Sequence, residues 1–204
     1  MKKAFNTKQL TILGLLTAVL LLMACTPLGY LNIGPFAITL NIIPVALAAV
    51  TLGPAGGAII GAVFGLTSFL KCMGIGSASL MDTALFLINP FLAFLQRFVP
   101  RILDGFLLGY IFKRVRKVTN VQISCFVTGF FSAFLNTLFF MAALVLLFGN
   151  TEYMQELIGG KNIIVFICSF VGINAVFEMI ASTIITGLVG FALYKAKLIS
   201  ALEN

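Results

Sequence analysis

The residues best able to do chemistry stand together in one short run, Arg97-Phe98-Val99-Pro100-Arg101-Ile102-Leu103-Asp104, inside an otherwise apolar segment from Phe91 to Phe112. A charge at the centre of a bilayer costs about 2.5–3.5 kcal/mol on insertion scales, so such groups face a protein interior or a water-filled cavity. On a helix, the i, i+4 spacing of Arg97 and Arg101 stacks both guanidinium groups on one face, and Asp104 falls nearly on the same face. Pro100 removes a backbone donor between them, which predicts a kinked or loosened helix at that point. Two readings follow: a buried ion pair joining helices, or a cationic pocket for an anionic ligand.

Other chemistry is thinly supplied. There is no histidine, which removes the commonest general base and transition-metal ligand. The four cysteines, Cys25, Cys72, Cys125 and Cys168, form no C-x-x-C pair, so their spacing shows neither a metal site nor a thioredoxin-like motif, and each reads as small apolar filler. A disulfide between Cys25 and Cys72 stays open as an alternative. No Walker sequence G-x-x-x-x-G-K-[ST] occurs, so any ATP hydrolysis must come from elsewhere. No catalytic residue, metal or cofactor is expected.

The elements that must position the arginines are set by composition: hydrophobic residues are 61% of the 204 and charged residues 9%, far outside the range of soluble domains. At about 20 apolar residues per helical crossing, the reading is an all-α membrane protein, one integral-membrane domain over 1–204. Its six transmembrane helices fall at about 10–28, 38–52, 55–70, 91–112, 121–148 and 163–194. The amino end weighs as a secretory or lipoprotein signal, but its apolar run continues through Leu28 and is read as a retained span. Pro44 interrupts the second span and Gly53-Pro54 closes it. Gly53, Gly57, Gly61 and Gly65 recur every four residues, which lines one face with bare backbone and predicts a tight helix contact. The break at 71–90 contains a candidate short helix from Leu80 to Ile88, and 149–161 reads as a loop.

The net charge of +7 reads as a topology signal, not as nucleic-acid binding. Lys2, Lys3, Lys8, Lys113, Arg114, Arg116, Lys117, Lys195 and Lys197 fall on one side and Lys71 and Lys161 on the other, so both termini are expected in the cytoplasm. Counting about 1.5 Å per residue inward from the outer span ends puts Arg101 roughly 15 Å deep, Asn136 roughly 18 Å and Asn174 roughly 17 Å. Two amides and a guanidinium from three helices at one level suit a ligand pocket in the outer half of the bundle. Glu178, one turn below Asn174, reads as a structural partner for an arginine. A site at that depth needs an entrance, and the first outer loop, Gly29 to Ala37, is the expected lid. Its glycines and Pro35 break helix periodicity, and Tyr30, Asn32 and Phe36 lie within it.

Several stretches, in this order, make the chain resemble the substrate-binding S components of energy-coupling factor vitamin transporters. They are T-P-L-G-Y-L-N-I-G-P, L-G-P-A-G-G-A-I-I-G, P-R-I-L-D-G, L-N-T and G-I-N-A-V-F-E. The third, fourth and fifth are most similar to the pantothenate-specific branch. The resemblance implies a subunit that binds its vitamin from outside and docks onto a membrane T component carrying two ATPase subunits. Small residues of the first span form the docking face in such proteins, and Gly14 and Ala18 match that pattern, with glycine where alanine is usual. Pantothenate is an anion bearing hydroxyl and amide groups, which suits an arginine beside asparagines. The expectation is therefore high-affinity vitamin binding in a bacterial cell membrane, with Arg101 on the carboxylate and Asn136, Asn174 and Arg97 on the rest. Riboflavin or folate is the alternative ligand, and a membrane thiol oxidoreductase or a self-sufficient transporter the alternative class.

Overall fold

The computed structural model describes residues 5–26, 29–33, 36–75, 80–160 and 162–199. Its elements in chain order are α1 (Thr7–Cys25), β1 (Tyr30–Ile33), β2 (Phe36–Thr39), α2 (Ile42–Cys72), α3 (Leu80–Ile88), α4 (Pro90–Val118), α5 (Val121–Phe148), α6 (Glu152–Ile158) and α7 (Ile163–Lys195). Among the described residues, four helices are long and apolar enough to cross a membrane: α1, α2, α5 and, within α7, Asn174–Lys195. Helix α4 has the length, 29 residues, but the charges of its Arg97, Arg101 and Asp104 set it apart from those four.

Local chemistry explains the boundaries. Asn6 and Gln9 form a reciprocal capping box at 2.9 Å in each direction, which starts α1 earlier than residue 10. Its end at Cys25, short of Leu28, agrees with Pro27, which disfavours helical backbone at the preceding residue. Asn89 caps α4 through the amides of Phe91 and Leu92, with Pro90 in the first turn, where its missing N–H costs nothing. Asn120 accepts from the Ile123 amide at 2.9 Å and so separates α4 from α5 by two residues.

Several expectations are corrected. The bundle is helical as expected, but the stretch between α1 and α2, read as a loop, is a short two-stranded antiparallel hairpin pairing Tyr30 with Thr39 and Ile33 with Phe36. Asn41 holds its base, donating from Nδ2 to the Gly29 carbonyl at 3.2 Å. Pro44 interrupts nothing, since it lies in the first turn of α2. Pro100 is absorbed in a continuous α4, and 149–161 contains α6, capped by Thr151 and stopped by left-handed Gly159 (φ 58°). Helix α3 spans Leu80–Ile88 as the sequence suggested.

The core is α2. Every residue from Ile42 to Gly53 is buried, so this stretch is surrounded on all sides rather than presenting one face to lipid. At Gly53 the backbone leaves the helix (φ 77°, ψ −163°), a conformation that glycine tolerates and side chains resist. The bend is sharp: a Cβ on Gly57 would lie 3.1 Å from the Cβ of Ala49, whereas eight residues of straight helix span about 12 Å. After the bend the glycine ladder lies on α4. A Cβ on Gly57 would strike the Gly105 carbonyl, one on Gly61 the Arg101 carbonyl, and one on Gly65 would come 2.9 Å from Phe98 Cα. Backbone thus meets backbone at the level of the arginines. On the other side, α5 meets α7 through a buried Ser132–Ser182 hydroxyl contact at 2.6 Å. Lys8 donates to the Lys197 carbonyl, which brings both chain ends to one face.

Gly61→Val forces α4 away from α2 and is expected to destabilise the purified protein by about 1–3 kcal/mol, read as a lowered thermal midpoint. Gly14→Val, where nothing lies within 4 Å, is expected to leave that midpoint unchanged. Equal midpoints for both variants would show that the close approach does not hold the fold.

Candidate functional site

The glycine contact presses α4 onto α2 so that Arg101 points into the bundle, 5% exposed. Its guanidinium carbon lies 4.7 Å from the centroid of Phe64 on α2 and 5.2 Å from that of Phe140 on α5. Phe140 also lies 4.7 Å from the Arg97 guanidinium, so one ring underlies both cations. Aromatic faces attract a desolvated cation by roughly 0.5–2 kcal/mol, which offsets part of the burial cost. Asp104 and Glu178 are within electrostatic reach of Arg101, so the charge sits in a partly compensated environment.

The two arginines differ in their partners. Arg97 is ion-paired with Asp82 of α3, an acid from the break before α4 that the sequence reading had not joined to it. Lys71, also buried, stands within electrostatic reach of the same Asp82. Tyr153 of α6 borders this corner, where burial and the Asp82 charge push its phenol above the ordinary range, so it stays protonated at neutral pH. The ion pair and the aromatic centre are therefore neighbours on one helix, with Arg97 joined to α3 and Arg101 packed at the middle.

Several buried polar atoms in this region have no hydrogen-bond partner among the described residues. They are Nε2 and Oε1 of Gln96, Oδ1 of Asn136, Nε of Arg97 and Oδ1 of Asp104. Gln96 is 0% exposed. Buried polar groups are nearly always satisfied, and each orphan costs about 1–3 kcal/mol, so these atoms remain able to take up a polar partner. Asn136 is one turn before Phe140 on α5, which brings it to the level of Arg101. Asn174 is half-buried on α7. Sequence reasoning missed Gln96, Phe64, Phe140, Lys71 and Asp82. Gln96 was signalled by an amide beside Arg97 in an apolar segment, whereas nothing distinguishes Phe64 or Phe140 among the 21 phenylalanines.

Glu178 has a more specific role than partner to an arginine. Its Oε1 accepts from the Thr39 amide at 2.6 Å, tying the end of β2 to α7. The side chains of Tyr30, Asn32 and Phe36, named for the lid, lie outside the described residues, as do Gly34 and Pro35. All four cysteines are free, Cys25 and Cys168 exposed and Cys72 and Cys125 buried, which removes the Cys25–Cys72 disulfide. Gly14 and Ala18 are exposed on one stripe of α1, beside the exposed Leu15 and Leu22.

The Arg101 guanidinium, near two aromatic rings and with buried amides on neighbouring turns, thus lies inside a bundle of membrane-length helices. The chain belongs to the family of ECF transporter substrate-specific components, whose sequence model matches residues 8–190. It is similar to the pantothenate transporter PanT of Leuconostoc mesenteroides subsp. mesenteroides, 30% identical over 196 residues and 91% of each chain. It is also similar to the pantothenic acid transporter PanT of Lactococcus lactis subsp. cremoris, 27% identical over 213 residues, covering 97% of this chain and 98% of that one. The protein is thus an integral-membrane subunit for substrate-specific uptake and not an enzyme.

If the Asp82–Arg97 pair joins α3 to α4, a double-mutant cycle with Asp82→Ala and Arg97→Ala is expected to give a coupling of about 1–3 kcal/mol in thermal or chemical unfolding. Additive single effects would remove the pair from the structural account.

Proposed function

We propose that this chain is the pantothenate-binding subunit of an energy-coupled uptake system in the bacterial cell membrane. The observation that carries the reading is Arg101, buried within 4.7 Å of the Phe64 ring and 5.2 Å of the Phe140 ring, with unpartnered amide atoms of Gln96 and Asn136 on the same two helices, α4 and α5. A guanidinium prefers a carboxylate, with which it makes two parallel charge-assisted bonds. Asn136 and Gln96 then meet the hydroxyl and amide groups of the ligand, with Asn174 bordering them from α7. Arg97, already paired with Asp82, serves better as a rim than as the primary anchor. The printed names of both relatives favour pantothenate over riboflavin or folate, neither of which presents the same small carboxylate with hydroxyls.

The topology of this reading is one membrane domain with six crossings and cytoplasmic termini. It is supported by the break at Gly53, by charged α4 as a further crossing, and by the shared face of the chain ends. The hairpin acts as a lid. The Thr39–Glu178 bond is its latch on α7, and pantothenate enters when it opens. The exposed Gly14–Ala18 stripe is the docking face for a T component that carries two ATPase subunits, because small residues admit close helix approach.

Titration of the purified protein with pantothenate tests the anchor. Arg101→Gln is expected to weaken binding about 10- to 150-fold, the worth of a hydrogen bond to a charged group, and Glu178→Gln to speed release. Wild-type affinity in Arg101→Gln would remove Arg101 from the site, and failure of wild type to bind pantothenate would remove the vitamin.

Reconstituted liposomes test the division of labour. Uptake is expected only with the T component and ATPases present and ATP inside. Gly14→Val is expected to bind pantothenate normally yet lose energised uptake, whereas uptake by this chain alone would establish a self-sufficient transporter.

A further inference from the structure

A cavity of about 240 Å³ lies between the last turns of α4 and α7 and the first turn of α5. It is remote from the aromatic cage: Arg116, on its wall, is 15 residues past Arg101 on the same helix, roughly 22 Å along the axis. Arg116, Asn120, Gln122 and Tyr194 give it polar walls and Val121 and Phe191 apolar ones. Arg116 donates from Nη1 to the Thr119 carbonyl at 2.9 Å, while its buried Nε has no hydrogen-bond partner among the described residues. The first turn of α5 adds the partial positive charge of a helix start, which the carbonyl ends of α4 and α7 oppose, so the basic side chains supply the net positive charge.

The surrounding charge has one sign. Among the described residues at this end of the bundle, Lys113, Arg114 and Lys117 stand in the last turns of α4, Lys195 ends α7 and Lys197 follows it, and no Asp or Glu occurs from 105 to 151 or from 179 to 199. Apolar and aromatic side chains are exposed at the same level: Val118 is 82% exposed, Ile123 47% and Tyr194 40%. In a membrane, a tyrosine in that position sits at headgroup depth. The ligand that satisfies both features carries an anionic oxygen cluster and a hydrocarbon body.

We propose that this cavity binds the phosphodiester headgroup of an anionic phospholipid, with Arg116 as the charge partner, Gln122 and Tyr194 as hydrogen-bonding groups, and the acyl chains lying along Val118 and Ile123. Basic pockets between helices at the cytoplasmic surface suit such headgroups, and the positive-inside reading puts this end of the bundle there. A free phosphate meets the charge but leaves the apolar rim unsatisfied, so the lipid is the better match. The site goes beyond vitamin capture: it fixes this end of α4 and α7 to one leaflet.

The test uses the full-length protein in nanodiscs of phosphatidylcholine, alone or mixed with phosphatidylglycerol, read by native mass spectrometry and thermal midpoint. Wild type is expected to retain phosphatidylglycerol preferentially and to unfold at a higher temperature when it is present. Arg116→Gln is expected to retain about fivefold less, the effect of one basic residue near an anionic surface. Because Arg116 also caps α4, Gln122→Glu is the second variant. It opposes the phosphate by charge and is expected to lose phosphatidylglycerol while keeping the wild-type midpoint in phosphatidylcholine. Equal retention of the two lipids by wild type, or undiminished phosphatidylglycerol in both variants, would overturn the proposal. Stabilisation by inorganic phosphate in phosphatidylcholine alone would assign the cavity to a soluble anion. Unchanged lipid retention with lost co-purification of the energy-coupling subunits would assign it to a protein contact.

Discussion

A guanidinium inside an apolar bundle has to be surrounded on every side, and the surroundings of Arg101 depend on how closely α4 lies against α2. Gly57 and Gly61 let the α4 backbone approach until the carbonyls of Gly105 and Arg101 occupy the space that side chains would fill. This contact turns Arg101 inward and puts Phe64, one turn from Gly61, 4.7 Å from its guanidinium carbon, with Phe140 at 5.2 Å. A larger residue in the ladder would separate the helices at the one level where separation exposes a charge. The packing and the site are therefore one construction.

The polar groups divide into two sets by what they touch. Asp82, Glu178 and Asn41 are committed to the scaffold, through Arg97, the Thr39 amide and the Gly29 carbonyl respectively. Gln96, Asn136 and part of Asp104 are buried without such commitments. In a low-dielectric interior an unpartnered amide is destabilising, and the proposed ligand would supply partners to this second set. The Glu178 carboxylate ties the end of β2 to α7, so the hairpin and α7 are joined directly.

Much of this was legible in the sequence because membranes impose simple rules. Apolar length marked the helices, with α5 and α3 matching the expected bounds, and the four-residue glycine period marked the α2–α4 contact. The chemistry of intramembrane charge singled out Arg97 and Arg101. Tertiary placement was not legible. Hydropathy treats the residues 42–52 as one more lipid-facing span, whereas burial from Ile42 to Gly53 makes them the centre of the bundle. Local turn chemistry at Gly29 to Ala37 pointed to a loop, and only strand pairing makes it a hairpin. The Arg97–Asp82 pair joins residues 15 apart across a helix boundary, which periodicity on a single helix does not reveal. Phe64 and Phe140 became functional candidates only through the cation they share.

The central claim is that Arg101, not Arg97, receives the anionic end of the solute. A structure of the full chain with pantothenate bound tests it most directly. The account predicts the carboxylate against the Arg101 guanidinium, the amide and hydroxyls near Asn136 and Gln96, and the Asp82–Arg97 pair intact. A carboxylate seated on Arg97 with Asp82 displaced, or a ligand lying away from both arginines, would contradict it.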